Sequence, residues 1–280
     1  MDATLIAVDM GLSNIDLVWE DTRGVHMDKL ENQYPGVIDQ VRQALAVVGD
    51  AFSPEVQIGV TGGLYRDLPE VLDGYRLQKV DEMCALGWGG LAAAGVAAGL
   101  VVSAGTGTAM VAARGDQVTH VTGSAVGGGT LQGLSRLILG TADVAEIDRL
   151  ALAGDASAVD IMLSEAVGGE VGRLPADANA VNLGKLIEGG DFSREDLAAG
   201  LVRLVAQVIA VIAINAADAA GLEQIILIGH TLDLASVRRE IALVGEFYQR
   251  AFIMPENPGF ATAMGVLGAI IKRGRANCEL

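Results

Sequence analysis

A chain of 280 residues, 51% hydrophobic and 19% charged, has the material for one large or two ordinary domains around a sizeable core, and its composition is not that of a disordered protein. Its 19 basic and 35 acidic residues give a formal net charge of −16, which repels phosphate backbones and anionic lipid and so speaks against nucleic acid or a membrane as partner. Cys84 and Cys278 are too few and too far apart for a disulfide framework or a cysteine-based zinc site, so a reducing, cytoplasmic setting is expected.

Met1 to Val8 begins with acidic Asp2 and is too short an apolar run for a signal peptide. Leu5 to Asp9 and Ile15 to Trp19 read as two strands of a hairpin whose turn carries Gly11 and Ser13. Tyr34 to Val48 has helical periodicity, and Val56 to Val60 is a strand ending at Thr61-Gly62-Gly63. Leu100 to Ser103 is a further strand, closed by Gly105-Thr106-Gly107-Thr108. Ala109 to Ala113 and Val118 to Thr122 form the next hairpin, which leads to Gly127-Gly128-Gly129. Helices are expected over Thr130 to Leu139, Val144 to Ala153, Ala158 to Val167 and Asn182 to Glu188. A long helix runs from an N-cap at Ser193 to Ala220 and stops at Gly221. Its stretch from Leu197 could span a bilayer by length, but Arg203, Gln207, Asn215 and Asp218 make it a buried core helix. Gln224 to Ile228 is a strand stopping at Gly229, and Ala261 to Ile271 is the last helix.

Three strand ends, Asp9–Ser13, Ser103–Thr108 and Gly229–Thr231, combine glycine with an oxygen-bearing side chain. Glycine lets backbone N–H groups approach phosphate oxygens and hydroxyls add donors, while a carboxylate such as Asp9 can hold Mg²⁺. An acidic chain needs such a cation before it tolerates a nucleotide. There is no Gly-x-x-x-x-Gly-Lys-Ser/Thr element, so a P-loop enzyme is excluded. The three histidines, His26, His120 and His230, are not at metal-ligand spacing, and Trp19 and Trp88 read as core anchors.

The segment Val-Thr-Gly-Ser-Ala-Val-Gly-Gly-Gly-Thr-Leu-Gln-Gly-Leu-Ser over residues 121–135 resembles the glycine-rich segment of the type II pantothenate kinases. These form the fumble-like family within the actin, sugar-kinase and chaperone superfamily. Further matches follow in the family's order: Val8-Asp9-Met10-Gly11, Thr61-Gly62-Gly63, Asp81-Glu82 with Gly89, and Ser103 to Thr108. They continue through Ala178 to Gly184, Ile226 to Gly229 and Asn257 to Gly265, and so cover nearly the whole chain. The resemblance implies an α/β, two-lobed actin-like (ribonuclease H-like) ATPase fold with a cleft between lobes. The N-terminal lobe would take residues 1–98 and the C-terminal lobe 99–280, with the long helix at a homodimer interface.

The implied activity is ATP- and Mg²⁺-dependent phosphorylation of the primary hydroxyl of pantothenate to 4'-phosphopantothenate, the first step towards coenzyme A, with acyl-coenzyme A as a feedback ligand. By the same resemblance Glu82 is the general base, with Asp81 its neighbouring competitor, and Asp9 faces metal and phosphate. Gly11, Ser13, Gly105, Thr106, Gly107, Thr108, Gly127, Gly128, Gly129 and Gly229 take nucleotide-side positions. Thr106, His120 and Gly123 take substrate-side ones.

This chain departs from the family at four places. Its first loop has Leu12 for a second glycine and Asp16 for a lysine, which reverses the charge beside a triphosphate. His120 stands for an arginine able to grip a carboxylate with two bonds, Ala109 stands for a serine, and a partner-subunit tyrosine has no counterpart near Ile253 and Met254. Two alternatives to a pantothenate kinase follow: a kinase for a small hydroxyl substrate without the carboxylate, and a catalytically weak nucleotide-binding regulator. Whether another cation, Arg114 or Arg136, replaces a lost one is left open at this level.

Overall fold

The computed structural model describes residues 4–49, 52, 55–172 and 174–272. The chain divides into two compact units: unit 1 comprises Met1–Val101, Val111–Val121 and Pro255–Leu280, and unit 2 comprises Val102–Met110 and Thr122–Met254. These bounds differ from a division at residue 98, because the chain's end returns to unit 1.

In unit 1, β1 (Leu5–Met10) and β2 (Asn14–Asp21) form the expected hairpin, and β3 (Gly24–Glu31) extends it. Helix α1 (Val37–Val48) leads to β4 (Gln57–Gly62), and the short pair β5 (Val71–Leu72) and β6 (Tyr75–Lys79) completes a six-stranded sheet in the order β3-β2-β1-β4-β6-β5. Strands β1, β4 and β6 run parallel. Alternation sends Ile6, Val8, Ile15, Leu17, Ile58 and Val60 to one face, where Val41, Ala44 and Leu45 of α1 cover them. Ala7 and Val18 point to the other face, which packs on α2 (Glu82–Ala94) and α8 (Ala261–Ile271).

Those two helices meet backbone to backbone. A Cβ at Gly89 would lie 1.8 Å from the Ala261 carbonyl oxygen, and one at Gly265 would lie 1.9 Å from that of Ala85. Only glycine permits this approach, and it is why α8 belongs with unit 1. Trp88 anchors α2 by donating its indole N–H to Asp116 O (3.1 Å).

Strands β7 (Ala98–Ala104), β8 (Thr108–Arg114) and β9 (Gln117–Ser124) each contribute one end to unit 2. They belong to a second sheet in the order β13-β12-β7-β8-β9, with β12 (Ile225–Ile228) fully buried and parallel to β13 (Phe252–Ile253). Helices α3 (Gly128–Leu139), α4 (Val144–Ala153), α6 (Arg194–Ala220) and α7 (Ala235–Tyr248) pack in this unit. Ser193 Oγ caps α6 by accepting from Asp196 N–H (3.0 Å), and left-handed Gly221 ends it, both as expected. By length and composition α6 could cross a membrane, yet most of it is buried within the protein.

The expected helix over Ala158 to Val167 is not formed. The Asp155 carboxylate instead holds a short 3₁₀ turn at Ala156–Ala158, and the chain passes through β10 (Ile161–Met162) into one turn of helix, α5 (Leu163–Ala166). Strand β10 pairs with β11 (Asn179–Val181). Buried Asp160 overrides the helical periodicity, accepting from Leu183 N–H (2.7 Å) and pairing with Arg203 (3.3 Å). That bond holds Leu183 left-handed, so the expected helix from Asn182 shrinks to a 3₁₀ segment at Gly184–Glu188.

Candidate active-site elements

In unit 1 the carboxyl ends of parallel strands β1, β4 and β6 come together, the usual place for a ligand in an open α/β sheet. Strand register sets Lys29, Asp16, Asp9 and Thr61 in one row across β3, β2, β1 and β4, on the face that α2 and α8 cover further along. Directly opposed side chains share a face of the sheet. Asp9 therefore has a second carboxylate, Asp16, on one side and, on the other, Thr61, whose buried hydroxyl donates to Val80 O (2.9 Å). Lys29 stands beyond Asp16, so a cation lies one strand away from the position where the family's lysine is replaced.

The loop after β1 is tight. Gly11 N–H donates to Asn14 O (2.9 Å), a Cβ there would meet that oxygen at 2.8 Å, and Leu12 at the tip is 86% exposed. Asn32 Nδ2 donates to Gly11 O (3.0 Å), and Asn32 N–H to Ser13 O (3.0 Å). This brace has no local signature in the sequence, because 20 or 21 residues and two whole strands, β2 and β3, separate Asn32 from the loop residues its side chain holds.

Beyond β6, Asp81 and Glu82 have different surroundings. Asp81 is the N-cap of α2: one carboxylate oxygen accepts from Met83 N–H (3.0 Å) and Cys84 N–H (3.4 Å). The other accepts from the Tyr65 hydroxyl (2.9 Å) and Arg66 (3.0 Å). Burial and the Asp81 charge raise the Tyr65 pKa, so its hydroxyl stays a donor. Glu82, one residue on, is half-buried, and none of the described residues hydrogen-bonds its carboxylate. Burial pushes its pKa up, the Asp81 charge adds to that, and Arg66 pulls it partly back. Asp81 is thus occupied as a structural carboxylate, and Glu82 is the one left available. Tyr65 and Arg66, which hold Asp81, are residues that sequence reading missed; their only signal is that they follow Thr61-Gly62-Gly63.

In unit 2 the Gly105–Thr108 turn, the start of α3 and the end of β12 are locked together. Gly128 N–H donates to Gly105 O (2.8 Å) and Gly129 N–H to Thr106 O (2.9 Å), while Gly127 N–H donates to the Thr130 hydroxyl (3.3 Å). Thr231 Oγ1 also donates to Gly105 O (2.9 Å), and Thr108 Oγ1 to Val126 O (2.8 Å). A Cβ at Gly127 would meet Gly107 backbone at 2.8 Å, and one at Gly129 the Thr106 methyl at 2.6 Å. The three glycines therefore serve close packing of helix on loop, with their own N–H groups spent inside the protein. They brace the Gly105–Thr108 turn, and these amides are not open to a ligand. Gly229 has φ +98, with Ala104 O 2.5 Å from where a Cβ would stand, so β12 can end only in glycine at this point. Gly123 packs as closely on Thr108 O (2.8 Å). His120 is exposed on β9 in unit 1, and Ala109 is half-buried on β8.

Known proteins resemble this chain over most of its length. A type II pantothenate kinase of Oceanobacillus iheyensis is 27% identical over 236 residues, covering 81% of this chain and 84% of the relative. Another, from Bacillus thuringiensis subsp. konkukian, is 25% identical over 284 residues, with 95% and 97% covered. Among solved structures, the (R)-2-hydroxyglutaryl-CoA dehydratase component A of Acidaminococcus fermentans superposes with a TM-score of 0.63 at 15% identity, covering 97% of this chain and 99% of that one. A ROK family glucokinase from Streptomyces griseus, solved with glucose and AMPPNP, gives 0.58 at 14% identity over 94% and 98%. At such identities the structures establish the fold, which is that of the actin-like ATPases and sugar kinases. The Fumble family model matches residues 97–272, well over half of the sequence, and the chain belongs to the Fumble family.

Proposed function

We propose that the chain is an ATP-dependent small-molecule kinase that phosphorylates pantothenate, with Glu82 as general base and Asp9 as the carboxylate facing metal and phosphate. The observation that carries this reading is the contrast at the start of α2. Asp81 is consumed by four donors, while Glu82 keeps a half-buried carboxylate that none of the described residues bonds, at the ends of β4 and β6. Family membership and the nucleotide-bound kinase of the same fold support it.

In this mechanism Glu82 accepts the proton of the acceptor's hydroxyl as that oxygen attacks the γ-phosphorus, a step that needs positioning more than covalent chemistry. Its raised pKa, caused first by burial and then by the Asp81 charge, makes Glu82 a better proton acceptor than an ordinary surface glutamate. Asp9 and Asp16, opposed across β1 and β2, are a carboxylate pair that suits a hard cation such as Mg²⁺, which when bound would neutralise triphosphate charge. Lys29, opposite Asp16, supplies positive charge to the same row. The Gly105–Thr108 turn would be the nucleotide-side element of unit 2, braced by the α3 glycines, whose amides are spent on it and on Thr130. A homodimer and a cytoplasmic setting accompany this reading, each open to direct measurement by light scattering or fractionation.

The test is phosphoryl transfer from radiolabelled ATP to pantothenate with Mg²⁺, the unaltered chain beside Glu82→Gln. Phosphopantothenate formed by the first and reduced about 100-fold or more in the second is expected for loss of a general base. Absence of product from the unaltered chain, with transfer to a neutral alcohol instead, would replace pantothenate by a substrate without the carboxylate.

A further inference from the structure

Beside the Asp81–Glu82 pair stands Arg66, and Lys79 is bonded to the Arg66 backbone. Arg66 donates one N–H to Asp81 Oδ2 (3.0 Å) and lies over the Tyr65 ring, 5.1 Å from its centroid. Lys79, at the end of β6, donates from Nζ to Arg66 O (3.1 Å). The Arg66 side chain remains 67% exposed, and Lys79 is exposed as well. Both belong to unit 1, as does Glu82.

Structural need accounts for little of this. Asp81 already has two backbone N–H groups and the Tyr65 hydroxyl, so its carboxylate is satisfied without a guanidinium. An exposed ion pair contributes only about 0–1 kcal/mol to stability. The ring and the carboxylate do, however, hold a long side chain in one place and leave most of it exposed. A guanidinium so pre-organised matches a carboxylate better than a free surface arginine does, because little rotamer freedom remains to be lost on binding. Arg66 is also close enough to Glu82 to act on its charge.

We infer that Arg66, assisted by Lys79, binds the carboxylate of the phosphoryl acceptor and so makes the chain selective for hydroxy acids over their neutral amides. The inference rests on the kinase reading above and names the group that does the work for which His120 is unsuited. It needs neither Arg114 nor Arg136. Arg66 is a binding residue here and takes no part in proton transfer.

The experiment measures kcat/KM for pantothenate and for its neutral carboxamide in the unaltered chain, Arg66→Gln, Arg66→Lys and Lys79→Met, with melting temperature and MgATP binding followed for each. One charge-assisted hydrogen bond lost should lower the carboxylate-to-carboxamide preference about 10–100-fold in Arg66→Gln. Arg66→Lys should restore part of it, and Lys79→Met should show a smaller fall. A preference unchanged in Arg66→Gln, including parallel loss of both acceptors, overturns the assignment while the kinase reading stands. If the unaltered chain transfers to neither acceptor, the kinase reading itself fails and the assignment falls with it.

Discussion

Replacing Gly265 by alanine should separate two helices that touch through their backbones. The new Cβ would stand 1.9 Å from Ala85 O, 2.8 Å from Ala85 C and 2.9 Å from Gly89 N. Ordinary contact begins near 3.4 Å, so α8 and α2 must part by about 3.4 − 1.9 = 1.5 Å. No side-chain rotation relieves this, since every obstructing atom is backbone. Overpacking a core costs about 1–3 kcal/mol, and the upper end applies where nothing can yield. Alanine returns about 0.5–1 kcal/mol of helix propensity, leaving a net loss of about 2 kcal/mol. Gly268 lies on the same helix with nothing within 4 Å of its would-be Cβ, so there the propensity gain stands alone. The two variants should differ by about 3 kcal/mol, or roughly 6–10 °C in melting temperature for a chain of this size. Far-UV circular dichroism melts of both, beside the unaltered chain, make the comparison. Because α2 starts at Glu82, Gly265→Ala should also lose phosphoryl transfer below its melting temperature. If Gly265→Ala melts at or above the unaltered chain, the close helix contact is refuted, and with it the account of why α8 joins unit 1.

Three further expectations concern charge. Glu82 has a raised pKa in the folded state, so its contribution to stability falls as pH rises through the usual glutamate range and on through the folded value. Glu82→Gln should therefore melt no lower than the unaltered chain at neutral pH, while the acid limb of kcat against pH in the unaltered chain should lie above the usual glutamate range. Asp81→Ala should cost about 0.5–2 kcal/mol by loss of the α2 cap, read by urea titration. Asp81→Asn, which can still cap, should keep most of that stability and far more transfer than Glu82→Gln; equal loss in the two would reassign the base. Arg203→Met leaves buried Asp160 (0% exposed) with only the Leu183 N–H and Glu240 (5%) with only Arg239, where Arg203 now pairs with them at 3.3 and 2.9 Å. Uncompensated buried charge costs about 3–5 kcal/mol, and an unchanged urea midpoint would show that the network is not closed to water.

Much of the fold is legible in local pattern. The β1–β2 hairpin follows from alternation around a glycine turn, and α4, α6 and α8 lie where periodicity and caps put them, because these features are written within a few residues of one another. Family-like glycine segments likewise mark the loops at Gly11, Gly105, Gly127 and Gly229 from sequence alone. What lies beyond that pattern depends on partners distant in the chain. Tyr75–Lys79 forms a strand only because β4 offers it a parallel edge, and residues 158–167 abandon helix because the Asp160 carboxylate finds Leu183 and Arg203. Glycines at 127, 128 and 129 suggest open amides in sequence, yet three-dimensional packing spends those amides on Thr130 and on the loop at 105–107. Asp81 and Glu82 are adjacent carboxylates with equal claims in a linear reading. Tyr65, Arg66 and the first turn of α2 bind one and leave the other half-buried, with no bond among the described residues, so what separates the two belongs to tertiary structure: a proton's affinity is set by surroundings that local sequence does not contain.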